Sequence, residues 1–200
     1  MNHKYISSDS LLKHKLDNAN ALAFMLGGKA TFTLKSLKTD VHFTFKVYNS
    51  TKVENFKKVS NPDFKFVHLM TGKDNTRSYT YMGFIKKYKG SWVFVLDKGN
   101  VEKRRKPKVD NDTPGVIAFT YVWEKLLNGI QMPMLEFWSA GTCSGCGRLL
   151  TNEKSIELSM GPVCGNRHKK LMEELNERIL QRRNEGLQKI AEAKTKQRPQ

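Results

Sequence analysis

Between positions 30 and 47 the apolar residues of this chain recur at every second place. Phe32 and Leu34 alternate with Thr31, Thr33 and Lys35. After Leu37-Lys-Thr-Asp, a plausible turn, Val41, Phe43, Phe45 and Val47 alternate with His42, Thr44 and Lys46. A period of two gives one buried and one wet face, so this stretch predicts an antiparallel hairpin. Phe64–Met70, Tyr79–Ile85 and Trp92–Leu96 predict three more strands. Thr71–Arg77 reads as a turn-rich connector, and Met134–Trp138 as a short last strand. Residues 49–63 are polar and lysine-rich and predict a loop.

Elsewhere the period lengthens to that of a helix. Asn18–Leu26 reads as a short helix stopped by Gly27 and Gly28, which permit a left-handed cap. Thr113 can cap a second helix, Pro114 suits its first turn and Gly129 ends it. Val116, Ile117, Phe119, Val122, Trp123, Leu126 and Leu127 give that helix a stripe wide enough to lie on a sheet. From Pro162 a long helix is expected, with Leu171, Met172, Leu175, Ile179 and Leu180 as its stripe, Gly186 as a weak point and a fraying end at Gln200. The fold class is therefore α+β: a mainly antiparallel sheet of about five or six strands with a packed helix. We divide the chain into that domain over 1–138, a small module over 139–170 and a basic C-terminal helix over 171–200.

Charge changes this picture. The 200 residues hold 35 Lys and Arg against 19 Asp and Glu, a formal charge of +16. Residues 167–200 carry ten basic and five acidic side chains, so most of the excess lies upstream of that tail. Polyanions are the natural partners of such a surface. The densest run is Lys103, Arg104, Arg105, Lys106 and Lys108, read as phosphate contacts or as a solvated loop. Aromatics crowd the strands, with Lys46, Lys65, Lys86, Lys87 and Lys89 between them. Phe43, Phe45 and Phe94 are assigned to the core. Tyr79 and Tyr81 are the better stacking pair for bases. No run of 18 apolar residues is present, so no membrane helix and no membrane partner are expected.

All three cysteines fall within 26 residues, 143–168. Cys143 and Cys146 form a C-x-x-C pair, with Gly145 and Gly147 allowing the tight turn of a zinc knuckle. Cys164 follows after seventeen residues, and His168 stands four beyond it, on one face of a helix. Zinc takes four such ligands in a tetrahedron. Pro162 in the first turn puts Cys164 at the positive end of the helix, which favours its thiolate. Leu149, Leu150, Ile156 and Leu158 are expected to pack over the site from an intervening hairpin or loop. Knuckle, hairpin and ligand-bearing helix outline a treble clef around one structural Zn2+. Reduced thiols without metal are the alternative. An odd cysteine count with no signal-peptide pattern over Met1–Lys15 points to a reducing compartment.

The chain resembles a family of small phage and bacterial proteins that is known only as a domain of unknown function. The resemblance runs roughly from Ala21 to Gly165. It rests on Gly28-Lys-Ala-Thr-Phe-Thr-Leu-Lys-Ser, Phe64-Lys-Phe-Val-His-Leu-Met-Thr-Gly-Lys-Asp-Asn, Tyr79-Thr-Tyr-Met-Gly-Phe-Ile and Ala118-Phe-Thr-Tyr-Val-Trp. It ends on Cys143-Ser-Gly-Cys-Gly-Arg-Leu-Leu-Thr and Gly161-Pro-Val-Cys. It implies a phage product in the bacterial host cytoplasm. In the family a histidine often follows the tryptophan placed like Trp138; here Ser139 stands there. Either that histidine is a ligand and His168 takes its role, or Ser139 changes nothing.

The leading expectation is a non-enzymatic, zinc-stabilised protein that binds DNA or RNA. Cys143, Cys146, Cys164 and His168 would hold zinc. The 103–108 run with Arg167, Lys169 and Lys170 would meet phosphate. Its rival is a protein-binding effector that inhibits or redirects a host enzyme or defence system; exposed apolar residues beyond Ile179 would favour it. A nuclease is the weaker third, since no histidine stands in a matching motif. Thr71–Arg77 lacks the spacing of a phosphate loop.

Overall fold

The computed structural model describes residues 14–196 apart from 75, 101 and 104; of residues 18, 19, 153, 167, 168, 171, 172, 183 and 189–196 it describes the backbone alone. The strands are β1 (Lys15–Leu16), β2 (Lys29–Ser36), β3 (His42–Glu54), β4 (Lys57–Met70), β5 (Tyr79–Tyr88), β6 (Ser91–Leu96) and β7 (Leu135–Ser139). The helices are α1 (Asn18–Leu26), α2 (Pro114–Leu127), α3 (Glu153–Glu157) and α4 (Pro162–Lys196). All strands join one antiparallel sheet in the order β1-β7-β2-β3-β4-β5-β6. The late strand β7 thus inserts between β1 and β2 and carries the chain to the cysteines.

Alternation decides which side chains enter the core. Phe32 and Leu34 of β2, Phe45 and Val47 of β3, Val67 and Leu69 of β4, Ile85 of β5 and Trp92 of β6 are buried. α2 covers this face, with the Phe119 ring 5.2 Å from that of Phe45 and 4.9 Å from that of Phe94. Gly115 brings the helix close: a Cβ there would stand 2.8 Å from Leu69 Cδ1. α1 adds Phe24 edge-on to Phe32, and α4 reaches the core through Leu175. Each buried Phe or Leu contributes about 2 kcal/mol of transfer free energy. Ile117, expected within the α2 stripe, is exposed instead, and so is Leu180 on α4.

Two expectations are corrected. Residues 49–63 are not a loop. β3 and β4 extend through them as a paired hairpin arm, closed by Asn55 and Phe56 with φ of 49° and 61°. Two successive positive φ values make the tight turn that matches strand twist. The arm lies beyond the core, so its side chains are mostly polar and carry no apolar alternation. Lys65, read as one of the lysines interleaved with the strand aromatics beside a basic groove, is 2% exposed and lies on the covered face with Val67 and Leu69. Its Nζ donates to Asn49 Oδ1 at 2.8 Å and to the Pro62 carbonyl at 2.5 Å, and lies 4.9 Å from the centre of the Trp92 ring.

The opposite face is half exposed. Over β2 it carries Thr31 and Thr33; over β3, β4 and β5 it turns aromatic. Register puts Tyr48 beside Phe66 and Phe66 beside Phe84, with His68 beside Tyr81. β5 is bulged where Val67 pairs with Gly83 and His68 with Tyr81, leaving Met82 without a partner and buried. That extra residue moves Phe84 onto the same face as Tyr81.

Candidate metal centre

The cysteine segment is built against the start of β2. The Lys29 amide donates to the Ser144 carbonyl at 2.6 Å, and a Cβ at Gly27 would collide with Ser144 Oγ and stand 2.8 Å from its carbonyl oxygen. Ser144 is fully buried. The turn itself closes with the Gly147 amide on the Cys143 carbonyl at 2.7 Å and the Cys143 amide on the Arg148 carbonyl at 2.8 Å. Gly147 has φ of 79°, a conformation that costs glycine little and other residues more. The Ser144 amide reaches the Ser159 carbonyl, and Ser159 Oγ donates to Ser139 Oγ at 3.1 Å. Ser139 therefore braces the segment leading into α4, just ahead of the Gly161 amide that donates to Cys143 Sγ at 3.4 Å.

This scaffold brings the Sγ atoms of Cys143, Cys146 and Cys164 within 4.8 Å of one another. An ion about 2.3 Å from each sulfur in a tetrahedron would hold them about 3.8 Å apart. The trio is thus near the spacing a thiolate-bound metal needs. Cys143 is 1% exposed. Burial pushes its thiol up, but the amides of Gly161, Cys146 and Gly145 outweigh this and draw it below the ordinary thiol value. Cys164 is pushed up to about 11 by burial and by the two neighbouring sulfurs. The helix end expected to favour its thiolate is outweighed by that burial and by the neighbouring sulfurs. Three thiolates in one place would need a cation, and the donor set is compatible with a soft divalent metal.

The cover expected over the sulfurs is more open than the sequence suggested. A Thr142–Leu149 bridge closes the knuckle, and the interval from there to α4, expected as a hairpin or loop, holds the short helix α3, capped by Asn152 whose side chain accepts from the Ser155 amide. Leu149 and Leu158, expected over the site, are 73% and 51% exposed. Leu150 and Ile156 are half buried. The side chains of His168 and Arg167 lie outside the described residues, as does Arg104 altogether. Residues 139–169 match a family of unknown function, DUF6011. The match covers the cysteine module and not the sheet, a shorter stretch than the expected 21–165. No curated protein and no solved structure matches the chain.

The expected phosphate contacts fall in two separate places. Lys169 and Lys170 are exposed on α4. The basic run follows β6. Because β2 and β6 run the same way and stand four strands apart, the end of β6 and the start of β2 lie at opposite corners, about 19 Å apart across the sheet. Arg105 is committed to Asp97: Nη1 and Nη2 donate at 2.8 and 2.6 Å, and that pairing holds the Asp97 carboxyl down to about 2. Asn100 and Arg105 also exchange backbone hydrogen bonds, and Gly99, with φ of 75°, lets them close. The run is thus a pinned turn, with Arg105 as its anchor and Lys103, Lys106 and Lys108 exposed around it.

Tyr79 and Tyr81 are half buried on the aromatic face. Lys46 Nζ lies 3.8 Å from the centre of the Tyr79 ring. The pinned turn stands close by: Asp97 and Arg105 both act on Tyr81, while burial first and then Lys108 and Lys46 hold His68 below the usual imidazole range. Sequence reasoning singled out the two tyrosines as the stacking pair, counted Phe64, Phe66 and Phe84 only among the strand aromatics, and missed Tyr48. The signal that could have found Phe64 and Phe66 is the second apolar set, on even-numbered positions, in Phe64–Met70.

Proposed function

We propose that this is a zinc-stabilised protein that binds nucleic acid and carries out no chemistry of its own. The metal is Zn2+, held by Cys143, Cys146 and Cys164 with His168 as fourth ligand. Knuckle and helix are arranged in the manner of a treble clef, and the metal is structural. The observation that carries the nucleic-acid reading is the pinned basic turn beside half-exposed aromatic side chains. It offers Lys103, Lys106 and Lys108 to phosphate at the edge of Tyr81 and His68. Ion pairs among the described residues engage Lys15, Lys35, Lys52, Lys87 and Arg105, which leaves a large positive excess for a polyanion. Binding of fluorescent DNA and RNA oligonucleotides across a salt series tests this, and no binding at low salt would refute it.

A second reading, a protein-binding effector, draws on a different observation. Leu180 and Leu187 of α4 are exposed, and an apolar cleft of about 750 Å3 lies between α1 and the start of α4, lined by Phe24, Leu158, Met160 and Pro162. Pull-down from a bacterial lysate with and without nuclease separates the two. A partner retained after nuclease supports the effector. A partner lost with nuclease supports nucleic acid.

A further inference from the structure

The wet face of an antiparallel sheet is ordinarily polar. Here it is so over β2, the start of β3 and neighbouring β7, where Glu136 stands beside Lys35. Across β3, β4 and β5 the same face carries six rings in unbroken contact. Tyr48 stacks on His68 at 5.1 Å and tilts against Phe66 at 5.9 Å. Phe64 stacks on Phe84 at 4.7 Å and meets Phe66 edge-on. Tyr81 closes the group against both Phe66 and His68. Tyr48 is 39% exposed and the others are half buried, while the core contacts of α1, α2 and α4 are made on the other face. A contiguous set of rings on a face that no described helix covers is a candidate interaction surface.

We infer that this face is a stacking platform for the bases of single-stranded nucleic acid, a reading that rests on the nucleic-acid function proposed above. Charge selects the occupant. Lys46 and Lys86 flank the rings, and no Asp or Glu stands among the face positions of β3, β4 and β5 between residues 44 and 48, 64 and 70, or 79 and 86 that carry them. Lys29 stands beside Tyr48 in register. Past Tyr48 a cleft of about 750 Å3 runs between the β3–β4 arm and the knuckle, lined by Lys29, Lys46, Lys58 and Gly145–Gly147. At the other end is the pinned turn with Lys108. Positive charge therefore borders the rings on two sides, which suits phosphates on either side of stacked bases. A duplex keeps its base faces inside its own stack, so the rings select a strand with splayed bases. Stacking on aromatics tolerates any base, so the platform reads strandedness more than sequence.

The test uses the full chain and labelled oligothymidylate and oligouridylate of about 12 nucleotides, with a DNA duplex of equal length as comparison. Tyr48→Leu and Phe66→Leu keep apolar volume and remove the ring; Tyr121→Leu does the same on the exposed side of α2. The platform predicts that single strands bind more tightly than duplex, and that each platform variant weakens single-strand binding about 5- to 100-fold while Tyr121→Leu does not. Photo-crosslinking of bromouridine oligonucleotide to the unmutated protein, read by mass spectrometry, keeps the test sound should a variant fold poorly; adducts on Tyr48, Phe66 or Tyr81 are expected. Strong binding with unchanged Leu variants and adducts confined to residues 103–108 would overturn the platform while leaving the nucleic-acid reading intact. No binding to any of the three would overturn both.

Discussion

Lys65 shows how a single position can belong to the wrong face. Phe64-Lys-Phe-Val-His-Leu-Met alternates in both registers, with aromatics on one set and Lys65, Val67 and Leu69 on the other. α2 covers the second set, so the lysine is carried inside with it. Burial holds its pKa down to about 8 from 10.5. Folded protein thus binds fewer protons than unfolded protein between those values, and stability rises with pH across that window. The shift corresponds to about 3 kcal/mol between pH 8 and full deprotonation of the unfolded chain. Lys65→Met is expected to flatten that rise, so that urea titrations at neutral pH and at about pH 10 differ less than they do for the parent. A variant whose stability keeps the parent's pH slope would contradict the buried placement.

At the scale of elements, the strands and α2 were legible because each buries one face against the other. Three features were not. β1 is two residues long and has no period to read. The β3–β4 arm pairs polar residues beyond the core, held by backbone hydrogen bonds, which leave no hydrophobic trace. The bulge in β5 breaks parity, so counting from Tyr79 and Tyr81 puts Phe84 on the wrong side. The junction of α1 with the knuckle was also invisible, since it joins positions over a hundred residues apart. It makes a prediction of its own. Gly27 has an ordinary helical φ of −60°, so Gly27→Ala adds no backbone strain; its cost is the contact with Ser144. The variant is expected to lose about 1–3 kcal/mol in denaturant unfolding, and to bind the metal about tenfold or more weakly in a chelator competition. Parental metal affinity in Gly27→Ala would mean that the knuckle is not held by α1.

At the scale of the whole molecule, the sheet separates two regions: the cysteine module at the start of β2 and the basic turn at the end of β6. Net charge pointed to a polyanion, but could not say that Arg105 is spent on Asp97 or that Lys65 is buried, because both depend on tertiary neighbours. Three exposed lysines remain in the turn. Replacing Lys103, Lys106 and Lys108 by Gln is expected to reduce the slope of log affinity against log salt for a single strand by about 2. A parental slope would exclude the turn as a phosphate contact. No described helix is long and apolar enough to cross a membrane.

The cysteine spacing was the most legible feature of all, because three sulfurs in a short segment leave few ways to fold apart. What the spacing could not show is that their pKa values diverge once they meet, with Cys143 drawn down and Cys164 pushed up. A divalent cation would resolve that conflict, and whether the chain holds one is directly measurable. Native mass spectrometry of freshly purified chain, prepared without chelator, should give one zinc per polypeptide, lost together with the parental melting temperature in Cys143→Ser. A mass equal to that of the bare polypeptide, with a melting temperature indifferent to chelator, would contradict the account.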